Sequence, residues 1–377
     1  MMITPHSHTQ AKATLISNPL FSSTLWGASH PLSILRHQHV MNICGSLGWV
    51  KNDTIKNCEQ ASLETLLRIH DHDYVKSFLS ACETGTVSTK MRETYNFGTM
   101  ENPIFPGLFE RAAATVGGSI LAAEIALSGQ KVFHPAGGTH HGRPEKSNGF
   151  CYFNDPAFAI LTLLDAGVGP VVYLDLDAHH GDGVEAIFAN DPSVFTLSIH
   201  EENRWPHTGK LDDRAGGQAR NLPVPKGFHD AELAFLMDET ITPLVERIKP
   251  GAVVLTCGAD ALEGDPLSGM ALSNNGLLKA IDQASAFAPI CVTLGGGGYN
   301  PWTVVRFWTA LWGQIAGLKP PKTLPPSATD LLSSMECDLV DEDEINPDWL
   351  NRLIDTPRAP QTIRESIKAI AKVVLSS

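Results

Sequence analysis

The chain has 377 residues, 43% hydrophobic and 18% charged, which is enough apolar side chain to bury a large core and argues against wholesale disorder. Lys and Arg number 28 against 41 Asp and Glu, a net charge of −13. A surface that negative argues against general binding to nucleic-acid phosphates and leaves room for a basic protein partner or a cationic small substrate.

At the N-terminus, MMITPHSHTQAK lacks a basic start followed by an apolar stretch, so no secretory signal is expected. Seven scattered cysteines without a CxxC pair fit a reducing compartment rather than a disulfide scaffold or a Cys-based zinc finger. No run of about 18 apolar residues predicts a membrane span. The cytoplasm is the expected location. Residues 1–100 carry many His and Asn and suggest long, irregular surface loops. From there the pattern alternates. Helical spacing of three and four covers Phe109–Leu127, Pro156–Asp165, Asp230–Ile248 and Asn275–Phe287, with Asn154 or Asp155 placed to cap the second. Between them lie short runs apolar on both faces: Lys131–His134, Val171–Asp177, Val194–His200, Ala252–Cys257 and Pro289–Leu294. Such alternation predicts right-handed βαβ crossovers and one mainly parallel sheet with helices on both faces. Lys319–Ala328 (KPPKTLPPSA) reads as an extended linker, and the acidic run Asp338–Glu344 as a solvated segment. Residues 346–377 are expected to pack helices on the same body rather than to form a second domain.

In an open parallel sheet, ligands sit beyond the carboxyl ends of the strands, and here those ends are rich in metal-ligand chemistry. In VVYLDLDAHHGDG (171–183), Asp175 and Asp177 share a strand face, which His179 joins if the chain stays extended. Two buried carboxylates on one face are costly unless a cation neutralises them. Zinc takes His nitrogen and Asp oxygen, and a catalytic site keeps a position open for water. In FHPAGGTHHGRPEKSNG (133–149), the pair His140–His141 could serve as ligands or as acid–base groups, with Asp175 and Asp182 as candidate carboxylate partners. In TCGADALEGDPLSGM (256–270), Asp265 is the candidate third ligand, and Asp260 either stands behind a ligand or caps a turn. In VTLGGGGYNP (292–301), the glycines could cradle a phosphate or let Tyr299 swing in as a hydrogen-bond donor to an oxyanion; a Tyr merely packed under a loop is the plain alternative.

These segments, in this order, resemble the zinc-dependent histone deacetylase superfamily, within it the acetoin-utilisation-type and deacetylase-like amidohydrolases of bacteria. The resemblance rests on His30-Pro31 with Arg36, IHDHDYV (69–75), GTMENPIFPG (98–107), HPAGGTHHG, GFCYFND, DLDAHHGDGV, LSIHEE, GADALEGDPL and GGGGYNPW. It spans residues 14–317, leaving 318–377 as linker and C-terminal extension on the same domain. It implies a single α/β domain with an eight-stranded sheet related to arginase. It implies one Zn2+ per chain on Asp177, His179 and Asp265. His140 and His141 would be the catalytic histidines, backed by Asp175 and Asp182, with His141 as base and Tyr299 as oxyanion donor. It further implies an acyl-lysine tunnel walled by Gly149, Phe150 and Trp205, where Phe is the commoner residue at the last position. Glu101 falls at a rim position where an Asp often holds the substrate backbone. Structural K+ would use Asp175, Asp177, the backbone of His179, Ser198 and Ile199, with a second site around Phe188, Asp191 and Val194. The implied reaction is removal of acetyl from acetyl-lysine, or from an acetylated polyamine or other small amine. Neither nucleic acid nor membrane is an expected partner, and a homo-oligomer is left open. Two rivals differ in kind: a binuclear manganese ureohydrolase, which needs an Asp where Gly181 stands, and a catalytically dead acyl-lysine reader, which should have lost a ligand or the tyrosine. Cys151 reads as a packed core thiol.

Overall fold

The computed structural model describes residues 12–22, 26–27 and 30–376. The reading of the first eleven residues lies outside them. The apolar runs form one sheet of eight strands: β1 (Ala13–Ser17), β2 (Ile55–Asn57), β3 (Lys131–His134), β4 (Val171–Asp175), β5 (Val194–Glu201), β6 (Ala219–Val224), β7 (Ala252–Thr256) and β8 (Ile290–Leu294). Their order is β2-β1-β3-β8-β7-β4-β5-β6, and every pairing is parallel. Alternation of side chains explains the continuous apolar runs. Val172, Leu174, Val253 and Leu255 join one core layer, while Val171, Tyr173, Ala252 and Val254 join the layer on the opposite face.

Three strands escape the sequence pattern. β2 has three residues, two of them exposed, and β6 (ARNLPV) carries Arg, Asn and Pro. Both are sheet edges, where one side needs no partner and Pro is tolerated. β1 is buried but sits in the segment expected to be irregular. That expectation fails more widely: Arg36–Ser46 and His72–Thr84 are helices, the second burying Tyr74, Val75, Phe78, Ala81 and Cys82. The expected helix Asp230–Ile248 is continuous but widens to π geometry over Met237–Ile241, just before Pro243, whose nitrogen cannot donate. Asn154, not Asp155, caps the helix Asp155–Asp165, accepting from the Ala157 N–H. Within the proline-rich segment, a helix already starts at Pro326.

The register decides where the chemistry gathers. Asp175 stands opposite Ser198 on one side and Thr256 on the other, Thr256 opposite Leu294, and Leu294 opposite His134. The loops leaving β3, β4, β7 and β8 therefore emerge side by side at one edge.

Candidate active site

β4 ends at Asp175, so Asp177 and His179 are not an extended continuation of the strand. They sit in successive tight turns, in which the Asp177 N–H donates to Asp175 Oδ1 (3.1 Å) and the His179 N–H to Asp177 Oδ1 (2.9 Å). His179 Nδ1 lies 3.0 Å from Asp260 Oδ2 and 3.2 Å from Asp177 Oδ1. Asp177, His179 and Asp260 thus bring ligand atoms within 4.8 Å of one another, the tight donor cluster found among the described residues. Of the two carboxylates after β7, it is Asp260 that lies against His179 Nδ1, the position of a group standing behind a ligand. Asp265 is buried on the adjoining loop, its carboxylate accepting from the backbone N–H groups of Tyr299 (2.7 Å) and Leu267 (2.9 Å). Burial and then the charge of Asp177 push Asp260 up to about 6, and burial and then Asp260 push Asp265 up to about 7. The pocket holds more negative charge than its protein partners neutralise, and the chemistry of this donor set fits a divalent cation.

The four glycines belong to the same cluster. The Gly297 N–H donates to Asp177 Oδ2 (2.7 Å), and a Cβ there would lie 2.1 Å from Asp260 Oδ2. The loop closes on carboxylates, which rules out the phosphate-cradle alternative. Half-buried Arg36 holds it from behind, donating to the carbonyls of Gly296 (3.0 Å) and Gly298 (3.3 Å).

The two neighbouring histidines are held alike but charged differently. His140 Nδ1 donates to Asp175 Oδ2 (2.6 Å), and His141 Nδ1 to Asp182 Oδ1 (2.7 Å). Burial opposes charge on His140, but Asp175 and Asp177 together raise it to about 9. On His141, burial and then the charge of His140 prevail and lower it to about 3. Asp182 supports its histidine less freely because Arg143 Nη2 (2.5 Å) and Asn148 Nδ2 (3.2 Å) also donate to it. Asp175 gains a different neighbour, the Tyr173 hydroxyl at 2.7 Å. Burial, reinforced by Asp260 and Asp177, pushes the Tyr299 phenol well above its ordinary range, so it stays a protonated donor. Burial does the same to the Cys151 thiol, which is thereby no nucleophile.

Above this cluster opens a cavity of about 700 Å³, lined by His141, His179, Tyr299, Gly149, Phe150 and Trp205, with Glu101, Glu201 and Glu202 also on its wall. The Trp205 ring meets His141 edge-on at 4.6 Å, and Phe150 meets Tyr299 likewise at 5.8 Å. Glu101 is tied to the wall: Oε1 accepts from the Gly149 N–H (3.2 Å) and Oε2 from the Asn96 (3.1 Å) and Asn102 (3.2 Å) amides.

Residues 30–315 match the model of the histone deacetylase domain. The chain belongs to the histone deacetylase family. It is 34% identical over 309 residues to the probable histone deacetylase 1-B of Xenopus laevis, covering 80% of this chain and 64% of that one. It is 31% identical over 329 residues to the acetoin utilization protein AcuC of Bacillus subtilis, covering 83% and 84%. A crystal structure of a deacetylase homologue from Aquifex aeolicus superposes with a TM-score of 0.90 at 32% identity, over 96% of this chain and 99% of that one. A deacetylase homologue complexed with SAHA matches equally well.

Within this deacetylase-family site, the structure brings His140, His141, Asp175, Asp177, His179, Asp182, Asp265 and Tyr299 together at one strand edge. Ser198 lies beside Asp175 by register, but its hydroxyl pairs with His200 Nδ1 (2.9 Å). Phe188, Asp191 and Val194 are joined by backbone bonds, Asp191 N to Phe188 O and Val194 N to Asp191 O. At Gly181, where a ureohydrolase needs its bridging carboxylate, a Cβ would lie 2.2 Å from Asp175 Oδ2. There is no room for that group. Arg143, Asn148 and Tyr173 were missed from the sequence; the roles of the first two depend on pairings across 39 and 34 positions that no spacing rule announces. For Tyr173 alone there was a signal: it shares the strand face of Asp175.

Proposed function

We propose that this chain is a zinc-dependent amidohydrolase that removes acetyl groups from acetyl-lysine, acting in the cytoplasm. The observation that carries the reading is the pair of carboxylate-backed histidines, His140 on Asp175 and His141 on Asp182, set beside a carboxylate-rich metal-type cluster at the foot of an aromatic-walled cavity. The printed names of the histone deacetylases among the matched relatives point to the same chemistry.

Asp177, His179 and Asp265 would hold the metal, with Asp260 orienting His179 through Nδ1. When bound, zinc supplies Lewis acidity at the amide carbonyl and lowers the pKa of water toward ~7. Neutral His141 accepts a proton from the attacking water and returns it to the departing amine. Charged His140 stabilises negative charge building on the carbonyl oxygen, and the Tyr299 hydroxyl donates to the same atom. The amide C–N bond breaks, giving acetate and a free amine. Gly149, Phe150 and Trp205 would flank the apolar stem of the substrate. Potassium on Asp175, Asp177, Ser198 and the backbone of His179 and Ile199 would brace the β4–β5 edge.

An acetylated polyamine is the second reading, favoured by the net charge of −13 and by Glu101 and Glu202 on the cavity wall, where Glu201 is already paired with Arg204. The test is acetate release by zinc-loaded protein from an acetyl-lysine peptide against N-acetylspermidine and N-acetylputrescine. The main reading predicts peptide turnover. Turnover of the polyamines alone would replace the substrate while keeping the chemistry.

A further inference from the structure

Residues 318–377 fall outside the matched deacetylase domain, yet two of them, Trp349 and Arg358, reach the loop that carries Asp265. Gly264, one residue before Asp265, has φ +87°, and a Cβ there would lie 2.8 Å from Trp349 Cη2. The Trp349 indole, buried in the short helix Pro347–Asn351, therefore lies directly on the loop backbone. From the other side the Asn300 amide donates to Gly264 O (2.9 Å), while Asn300 Oδ1 caps the helix Pro301–Ile315. Arg358 ties both ends of the loop, donating to Glu263 Oε2 (2.7 Å) and Ala271 O (2.5 Å). The extension is itself pinned by buried Arg306, which donates to Arg352 O (2.6 Å) and Asp355 Oδ1 (2.7 Å). Asp355 Oδ2 in turn accepts from the Asn274 N–H (2.8 Å). What the clamp fixes is shared, since the Asp265 carboxylate receives the N–H of Tyr299.

We propose that Trp349 and Arg358 of the C-terminal extension are positioning residues for the active site, setting the direction of Asp265 and, through its bond to the Tyr299 N–H, of Tyr299. The proposal rests on Asp265 being a metal ligand. Groups that orient a ligand are typically worth 10–100-fold in metal affinity or activity. A purely structural role would instead lower stability and leave the metal site alone.

The test measures zinc affinity of the full chain by competition with a chromogenic chelator, together with kcat and KM on an acetyl-lysine peptide. Trp349→Ala should weaken zinc binding by roughly 10–100-fold and lower kcat with little change in KM. Trp349→Phe should restore most of both, and Arg358→Gln should fall between. Ile370→Ala, which removes packing from the helix Glu365–Leu375 away from the loop, should lower the melting temperature and keep wild-type zinc affinity. Wild-type affinity in both Trp349→Ala and Arg358→Gln overturns the proposal. So does an equal loss in Ile370→Ala, which would mark a general stability effect. If Trp349→Ala does not fold, Trp349→Phe and Arg358→Gln decide, with wild-type affinity in Arg358→Gln overturning the clamp. A wild-type chain without zinc affinity takes down the reading of the site and this proposal together; wild-type binding with unchanged variants takes down this proposal alone.

Discussion

At the scale of single residues, the account turns on hydrogen-bond partners that set charge. Tyr299 is a protonated donor at neutral pH because burial and the nearby carboxylates disfavour the phenolate. Tyr299→Phe should therefore keep its metal content and lose roughly 100- to 1000-fold in kcat, the usual cost of one oxyanion donor. Metal analysis and turnover on the same preparation check this, and a fully active variant would contradict the role. Arg143 shares Asp182 with His141. In Arg143→Gln the carboxylate loses its cationic partner and keeps only His141 and the neutral Asn148 amide, which favours the imidazolium. The acid limb of the kcat/KM profile should then move to higher pH; an unmoved or lower limb would show that Arg143 does not tune the base. Asp177, His179 and the His140–His141 pair were legible because their spacing is chemical in itself. Asp260 and Asp265 were separable only in part, since which carboxylate faces His179 depends on how the loop after β7 turns. Arg143 was illegible because nothing local marks its partner.

At the scale of elements, five of the eight strands and all four expected helices were readable from apolar spacing, with ends shifted by a few residues. The edge strands β2 and β6 were not, because an edge strand needs only one covered side and carries polar residues and Pro. The helix Arg36–Ser46 was hidden by His and Asn among its apolar positions. The loop after β3 shows how an element shapes specificity. A Cβ at Gly149 would lie 2.3 Å from Trp205 Cη2 and 2.7 Å from His141 Cδ2, at φ +53°. Overpacking of this kind costs about 1–3 kcal/mol of stability unless the neighbours shift, and here the neighbours that must shift line the cavity. Gly149→Ala should lower kcat/KM with zinc binding unchanged, whereas unchanged kinetics would remove Gly149 from the substrate path.

For the whole molecule, buried neutral histidines set the response to acid. His37, His70 and His200 are lowered to about 3, 4 and 3, each chiefly by burial. Below about 6.5 the unfolded chain takes up protons at these positions that the folded chain refuses, so stability falls as pH drops. Each contributes a slope of up to about 1.4 kcal/mol per pH unit until its folded pKa is approached. The raised carboxyls of Asp260 and Asp265 act in the opposite sense over the same range and offset part of this slope. The three histidines outnumber them, so urea midpoints should fall between pH 7 and pH 5, with a shallower slope in His70→Gln; a midpoint that rises on acidification would contradict the assignment. The parallel α/β architecture was legible in the alternation of runs, while the clasp of residues 318–377 on the loop before Asp265 was not, because it joins positions more than 80 apart in the chain.

The most direct measurement is the yield of acetate and free amine from an acetyl-lysine peptide, on protein stripped by chelator and then given one equivalent of zinc. The account predicts equimolar acetate and amine with zinc, none after stripping, and loss of both in Tyr299→Phe. Stoichiometric zinc binding without acetate would contradict it and leave a protein that binds acyl-amides without cleaving them.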